Sequence, residues 1–313
     1  ARTGAPIHHR TVRAVSQNLD LVSDKLRHSS RMSKAFQSIL LEARDLFSVL
    51  EMMHETGLLQ AYVPEFSRID TLAQHDLYHI YTVDRHSLQT TAELVGVLVE
   101  QAVASVHVKS LNVLFLAALL HDIGKGSGED HSEYGAKLVV VIAERMGLSS
   151  AEADCLAFLV RYHLFIPENA LRRDLEDAVF IRKCAEEIGG LERLAMLYLL
   201  SVADSKATGP SAWSEWKASL MLDLFLKVQP YFENMTPGKE RGLQAHVEEG
   251  AGWLREQVGK LLVRESGLKV LVEDLPADYL VSFNPGIVVE HNPTFNMVSI
   301  MPGIDCLAPD LQD

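Results

Sequence analysis

Residues 121 to 125 read His-Asp-Ile-Gly-Lys and directly follow Leu111 to Leu120, a stretch that is apolar apart from one asparagine. The apolar stretch predicts a buried helix, so the His121-Asp122 doublet would lie at the end of a firmly anchored element. A carboxylate in such surroundings is costly unless it is paired or bound to a metal. Gly124 then allows the chain to turn close to a substrate. The doublet therefore predicts a site for a divalent metal ion.

Further histidines and an aspartate occur on both sides of the doublet, at intervals that place them on separate predicted helices. Four imidazoles and two carboxylates suit a mixed nitrogen and oxygen site for one or two ions of Mn, Fe, Mg or Zn. Asp122 could bridge two ions, because a carboxylate has two oxygens. A divalent ion lowers the pKa of bound water and can so supply a nucleophile for a phosphate ester. The candidate ligands are His86, His121, Asp122, His131, His163 and Asp204.

Several of these positions also have a simpler structural interpretation. His86 could be a surface histidine, and His79, seven residues earlier on nearly the same helical face, competes with it. His131 could begin a helix in a solvated loop, and His163 could be a core histidine with satisfied hydrogen bonds. Asp204 could pair with a cation near the end of its helix, where a carboxylate opposes the helix dipole. The six residues in this order indicate a metal site more strongly than any one of them does alone.

Lys125 is a candidate catalytic and substrate-binding residue, together with Asp122 as a catalytic residue. Beside a metal, its ammonium group could hold a phosphate oxygen and balance charge in the transition state. The alternative is a solvated loop lysine. The glycine-rich loop Gly124 to Gly128 lacks the Gly-Lys-Ser/Thr ending that follows a strand in a P-loop, so it does not predict a nucleoside triphosphate site.

Composition restricts the class of partner and the compartment. The net charge of −13 argues against a duplex nucleic acid partner, because such sites rely on clustered Lys and Arg. The negative net charge is compatible with a phosphate-bearing substrate if a bound metal supplies positive charge locally. The first ten residues have no apolar region typical of a secretory signal, and no window of eighteen apolar residues predicts a membrane span. Three scattered cysteines are typical of a reducing compartment, so we expect a cytoplasmic protein.

Apolar periodicity predicts helices over most of the chain, and strands do not alternate with them, so the fold class is all-α. Pro230 and Pro237 mark a linker, and Trp213 and Trp216 fall at helical spacing and are predicted to be core. Short β-type runs occur at 287–289 and 297–300. The predicted helices are 34–53, 78–106, 111–122, 131–146, 150–164, 175–188, 190–207, 211–228 and 238–272. The predicted domains are an N-terminal helical segment (1–70), a catalytic domain (71–228) and a C-terminal helical region with an irregular tail (229–313).

The order of His86, the His121-Asp122 doublet and Asp204 resembles that of the HD phosphohydrolase superfamily. His131 and His163 fall where the dinuclear branch of that superfamily carries additional histidines. Residues 74–88, QHDLYHIYTVDRHSL, resemble a stretch of the bacterial PII uridylyltransferase/uridylyl-removing enzymes. The same holds for residues 57–66, 128–133, 202–210 and 213–217. The resemblance extends from about residue 34 to 228, with a weaker continuation to 280.

This resemblance implies an HD-domain helical bundle with N-terminal and C-terminal helical extensions. It implies removal of UMP from a uridylylated tyrosine of a PII-type signalling protein, with one or two divalent metal ions as cofactor. Lys206 stands where the family usually has Arg and becomes a candidate substrate-binding residue, although Lys cannot make the bidentate contact of Arg. Nothing in the sequence matches the nucleotidyltransferase or glutamine-sensing domains of the family, so we do not expect those activities. The alternatives are a stand-alone phosphohydrolase of a small nucleotide or cyclic dinucleotide, and a regulatory module that binds a nucleotide without turnover.

Overall fold

The structure is a computed structural model that describes residues 7–73, 81–209 and 212–233, and the backbone of residues 288–292 and 297–301. These residues fall into two compact units. The first contains the described residues up to 95 and from 109 to 233, and the second contains residues 96–108 and the two strands. All six candidate ligands lie in the first unit.

All the regular secondary structure described in the first unit is helical, which confirms the predicted all-α fold class. Two 3-10 turns, Leu19–Leu21 and Pro64–Arg68, connect helices near the N-terminus. Helix α6 begins in this unit and ends in the second. The helices are α1 (His9–Ser16), α2 (Asp24–Arg27), α3 (Ser30–Glu42), α4 (Leu46–Glu55), α5 (Leu58–Tyr62), α6 (Val83–Glu100), α8 (Leu111–Leu120), α9 (His131–Arg145), α10 (Ser150–Tyr162), α11 (Phe165–Arg172), α12 (Ala178–Ile188), α13 (Leu191–Thr208) and α14 (Glu215–Glu233).

The second unit contains helix α7 (Ala102–Ser105) and an antiparallel pair of strands, β1 (Val288–Asn292) and β2 (Met297–Met301). The strands pair in register with Val288 opposite Met301. They coincide with the two β-type runs that the sequence predicts in the tail. The predicted helix at 238–272 and the residue His79 lie outside the described residues.

The core of the first unit is built around α8 and α13. Every residue of α8 from Val113 to Leu120 is buried, as is nearly every residue of α13 from Leu194 to Thr208. Helix α8 packs against α3, α10 and α13. Because an all-apolar helix is stable only when it is surrounded, this packing fixes the position of the residues that follow its C-terminal end.

A single carboxylate ties these two central helices together at the end far from the candidate site. Glu192, in the first turn of α13, accepts hydrogen bonds from the backbone N–H groups of Lys109 (2.9 Å) and Ser110 (3.0 Å). These groups precede α8, whose first N–H groups have no partner within the helix. The bond therefore sets the axial position of α8 relative to α13.

The helices that carry the remaining histidines have well-defined N-terminal caps. Asp130 accepts from the backbone N–H of Glu133 (2.9 Å) and so begins α9 at His131. Ser149 and Glu152 form a reciprocal capping box at the start of α10. Such caps contribute roughly 1 kcal/mol each and fix the residue at which a helix begins.

Some sequence predictions of local structure are wrong. The single helix predicted at 34–53 is divided, because Ala43 leaves the helical conformation and Asp45 begins α4 by accepting from the N–H of Ser48. Trp216, predicted to be core, is 65% exposed. Among the described residues, no helix has both the length and the apolarity needed to cross a bilayer.

Candidate metal centre

Five helices bring the six predicted ligands to one place. Two of the histidines directly follow the C-terminal ends of helices, and one is the first residue of its helix. Helix ends converge more readily than helix middles, because a short side chain there is not screened by neighbouring turns. His86 lies in α6, His121 and Asp122 follow α8, His131 begins α9, His163 follows α10, and Asp204 lies in α13.

Asp122 lies at the middle of the group. Its Oδ2 atom is 3.4 Å from Nε2 of His121, and its Oδ1 atom is 3.7 Å from Nε2 of His163 and 3.9 Å from Nε2 of His131. These separations are longer than ordinary hydrogen bonds. They suit atoms that share an ion at about 2 Å from each.

The potential ligand atoms fall into two adjacent groups of three. One group contains His86, His121 and Asp204, and the other contains Asp122, His131 and His163, with the ligand atoms of each group within 4.8 Å of one another. Nε2 of His86 is 2.8 Å from Oδ1 of Asp204. Since each group offers nitrogen and oxygen donors, the arrangement is compatible with one ion or with two neighbouring ions.

The backbone orients two of the imidazole rings. Nδ1 of His121 lies 2.9 Å from the carbonyl oxygen of Ala118, and Nδ1 of His163 lies 2.7 Å from that of Val160. A carbonyl can only accept, so each Nδ1 carries the proton. In the neutral ring Nε2 is then a lone-pair donor directed at the aspartates, as in many metal-ligating histidines.

Burial gives an independent test of whether these residues fit a metal ion. His121, Asp122 and His163 are at most 2% exposed. Nε2 of His121 and Oδ1 of Asp122 are buried and make no hydrogen bond to the described residues. An unsatisfied buried polar atom costs roughly 1–3 kcal/mol. A divalent cation would satisfy both atoms, so the donor set fits a metal.

The electrostatics keep both carboxylates ionised. Burial would raise the pKa of Asp122, but the charge of His121, followed by that of Lys125, holds that pKa well below its ordinary value. Burial likewise opposes ionisation of Asp204, but the hydrogen bond from His86 and the charge of His121 together outweigh it, so this pKa is also lowered. Ionised carboxylates are the form that binds cations.

The pKa values of the imidazoles shift in different directions. Burial lowers the pKa of His163 to about 4 and also lowers that of His131. Burial opposes the charged form of His121 as well, but the negative charges of Asp122 and Asp204 together outweigh it and raise the pKa to about 9. Without an ion, the His121 imidazolium thus offsets part of the charge of the carboxylates, and a metal ion would displace its proton.

A cavity of about 680 Å³ opens beside the group. Nζ of Lys125 lies 2.6 Å from Oδ2 of Asp122 and faces this cavity. Residues from α11 and from the junction of α13 and α14 form the other walls. The described lining residues are Asp122, Lys125, His131, His163, Leu164, Pro167, Glu168, Leu171, Arg172, Asp204, Ser205, Thr208, Ala212, Ser214, Trp216 and Lys217.

Of two lysines near the end of α13 and the start of α14, only one lines the cavity, and it is not the one that the sequence predicts. Nζ of Lys206, a predicted substrate-binding residue, lies 5.8 Å from the ring centroid of Trp213, and Lys206 is not among the described lining residues. Lys217 lines the cavity instead and was missed. Lys217 lies in the first turn of α14, within the residues 213–217 that carry the resemblance. Its place in the cavity could not be predicted, because the approach of α14 to the cavity depends on the fold.

A histidine outside the predicted set, His54 of α4, also pairs with acidic residues. Its Nε2 atom is 3.1 Å from Oδ2 of the buried Asp84 and 3.3 Å from Oδ1 of Asp70. The hydrogen bond to Asp84 raises the pKa of His54. This pair joins α4 to the first turn of α6, two residues before His86, and so supports the position of that histidine.

Two protein families match separate parts of the sequence. Residues 75–207 match the HD domain, and residues 3–62 match the uridylyltransferase GlnD third domain. The HD match contains all six candidate ligands and Lys125.

Curated relatives extend this likeness over most of the chain. Proteins named bifunctional uridylyltransferase/uridylyl-removing enzyme are 38% identical over 259 residues in Ruegeria pomeroyi and 35% identical over 260 residues in Azospirillum brasilense. Each alignment covers 80% of this chain and 28% of the relative. The relative of that name in Bordetella parapertussis is 40% identical over 224 residues, which is 69% of this chain and 26% of the relative. The chain therefore spans little more than a quarter of the length of these relatives.

Proposed function

Because residues 75–207 of this chain form an HD domain, we propose that it is a metal-dependent phosphodiester hydrolase that removes UMP from a uridylylated tyrosine of a PII-type signalling protein. The observation that carries this proposal is the convergence of four imidazoles and two carboxylates beside a cavity. The names of the relatives support uridylyl removal over hydrolysis of a small nucleotide or a regulatory role.

The six predicted ligands would hold one or two divalent ions. When bound, such ions supply concentrated positive charge and acidify water at neutral pH. The choice among Mn, Fe, Mg and Zn stays open, because mixed imidazole and carboxylate ligands suit all of them.

The other side chains of the site bind and orient the phosphodiester. The ammonium group of Lys125 faces the cavity from its contact with Asp122, where it can hold a non-bridging phosphoryl oxygen and offset the charge that develops there. The leaving group is a tyrosine phenolate, whose conjugate acid has a pKa of roughly 10. Departure of such a group needs little assistance from a general acid, and no acid is assigned.

The decisive test combines metal analysis with product release. In the double variant His121→Ala/Asp122→Ala, we expect bound metal to fall below about a tenth of the wild-type amount. The reason is that each of the two ligand groups loses one of its three donors. We expect UMP release from a uridylylated PII-type protein to fall at least about 10³-fold. Elemental analysis of the purified protein and chromatography of released UMP measure the two effects.

A matched control is the double variant Arg182→Ala/Glu186→Ala, which removes an exposed ion pair of α12. Both metal content and UMP release should stay at the wild-type level in this control, and circular dichroism should show that both variants are helical. Full metal content in the His121→Ala/Asp122→Ala protein would overturn the assignment. Metal at full occupancy in the wild type, without hydrolysis of any phosphodiester, would favour the regulatory alternative.

A further inference from the structure

The cavity beside the metal centre has a second end that the proposed chemistry does not use. Asp122, Asp204 and Lys125 belong to the metal centre, and we call the part of the cavity that is lined by α11 and the start of α14 its outer end. A volume of about 680 Å³ is within the range of cavities that hold a cofactor or nucleotide. It exceeds what a phosphoryl group alone requires, so the outer end has room for the rest of a substrate.

Trp216 gives this outer end a large aromatic surface. The residue lines the cavity, yet it is 65% exposed, whereas Tyr198 of α13 and Phe225 of α14 are fully buried. A tryptophan left in solvent makes no contribution to the core, and its flat indole ring is well suited to stack on another flat ring. Leu164 and Leu171 of α11 add apolar surface to the same cavity.

Lys217, the next residue, adds a cation to the lining of the same cavity. Its Nζ atom donates to the carbonyl oxygen of Ala212 at 3.0 Å and interacts with the charge of Asp204. The remaining two N–H groups of the ammonium are available to other acceptors, since a lysine has three donors. Lys217 is half-buried, and a cation in such a place favours an anionic ligand.

Taken together, an aromatic face, a neighbouring cation and a phosphoryl-binding centre in one cavity have the layout of a nucleoside monophosphate. We propose that Trp216 and Lys217 form the nucleotide subsite of this cavity, with the indole ring stacked on the base and the ammonium group bound to a phosphate oxygen. This assignment rests on the proposed function and adds the residues that select the nucleotide part of the substrate. Stacking is tolerant of base identity, so the subsite alone distinguishes a nucleotide from a simple phosphate rather than one base from another.

Equilibrium binding of two probes, UMP and inorganic phosphate, to the metal-loaded full chain should distinguish the roles of the two residues. For Trp216→Ala we expect the affinity for UMP to fall about 5- to 100-fold, the range measured for loss of base stacking, with no change for inorganic phosphate. For Lys217→Ala we expect both affinities to fall about tenfold, because a charged hydrogen bond to the shared phosphate is lost. Isothermal titration calorimetry measures each value without turnover.

Two variants control for non-specific effects. Trp216→Phe retains a flat ring and should recover UMP affinity to within about threefold of the wild type. Lys183→Ala removes an exposed lysine of α12 and should leave both probes unaffected.

An unchanged UMP affinity in Trp216→Ala, with a raised KM for the uridylylated protein, would overturn the subsite and make Trp216 a protein contact. Equal loss of both probes in that variant would also overturn it, because the indole would then support the metal centre rather than the base. A different observation, the absence of UMP release by the wild type, would contradict the proposed hydrolysis. The binding of UMP and phosphate to the variants could still be compared in that case.

Discussion

The two oxygens of Asp122 have different surroundings. Oδ2 lies 2.6 Å from Nζ of Lys125, while Oδ1 makes no hydrogen bond to the described residues and faces His131 and His163. One carboxylate can thus hold a lysine with one oxygen and a metal ion with the other. The position of Lys125 in the cavity depends on this contact, since its own side chain has four rotatable bonds.

Replacement of Lys125 tests whether its ammonium acts on the phosphoryl group. In Lys125→Ala, we expect kcat to fall about 10²- to 10³-fold, the usual effect of removing one donor from a developing negative charge. Metal content should stay near that of the wild type, because Oδ1 of Asp122 is not involved in the contact. Steady-state UMP release and elemental analysis measure these quantities.

Lys125→Arg keeps the charge and should recover part of the rate. Lys137→Ala, an exposed lysine of α9, is the matched control and should behave as the wild type. A loss of metal equal to the loss of rate in Lys125→Ala would contradict a direct role in catalysis, since the lysine would then only hold Asp122 in place.

At the scale of elements, Gly124 determines how closely α9 approaches the doublet. A Cβ atom at this position would lie 2.0 Å from the carbonyl oxygen of His131 and 2.6 Å from the backbone nitrogen of Gly135. Both atoms belong to the backbone of α9, which cannot yield as a flexible side chain can. The absence of a side chain at Gly124 therefore allows His131 to lie beside Asp122.

Substitution of Gly124 should disturb stability and the metal site together. We expect Gly124→Ala to lower the free energy of unfolding by about 3 kcal/mol, because the added methyl group forces the first turn of α9 away. Displacement of His131 should also reduce the amount of bound metal. Urea unfolding followed by circular dichroism, together with elemental analysis, measures both effects.

Gly96→Ala is the matched control for this substitution. A Cβ atom there meets only the Glu100 side chain at 3.9 Å, which is an ordinary contact. Because alanine favours a helix more than glycine, this variant should be unchanged or up to about 1 kcal/mol more stable. Equal stability of the two variants would show that the close approach at Gly124 is not important.

The elements that sequence patterns predict well are those with strong apolar periodicity, and the errors occur at prolines and caps. The predicted helices leave out residues 165–174, yet α11 forms there, with Pro167 in its first turn, where a missing N–H removes no helical bond. The sequence predicts a linker from Pro230, but α14 continues through this residue to Glu233 and loses one bond in its last turn. The candidate ligands could be named from residue types and order. The choice of Lys217 and Trp216 as cavity residues could not, because it depends on how α14 packs against α11 and α13.

At the scale of the whole first unit, the N-terminal helices are joined to the helices that carry the ligands. The amide of Asn112 donates to Oε1 of Gln37 at 3.2 Å, and Glu51 pairs with Arg85 one residue before His86. Glu65 accepts two hydrogen bonds of 2.7 Å from Arg145 at the end of α9. The domain boundary near residue 70 stays a prediction, but these contacts indicate that the segments on its two sides stabilise each other.

The Glu65–Arg145 pair allows this stabilisation to be measured through its dependence on pH. Burial would raise the pKa of Glu65, but the hydrogen bonds and the charge of Arg145, with a backbone hydrogen bond, together outweigh it and hold the pKa below its ordinary value of 4.5. A carboxyl group whose pKa is lowered by folding stabilises the folded state above its unfolded pKa and loses this effect as the pH falls through the folded pKa. Arg145→Ala should therefore cost about 2–3 kcal/mol at pH 7, and the difference from the wild type should shrink progressively below about pH 4.5. Urea unfolding at several pH values measures the difference.

The control variant Arg161→Ala breaks an exposed pair with Glu133, and it should lower the free energy of unfolding by less than about 1 kcal/mol at every pH. A deficit in Arg145→Ala that stays constant from pH 7 to pH 3 would mean that Arg145 stabilises the unit by packing and not through the charge of Glu65.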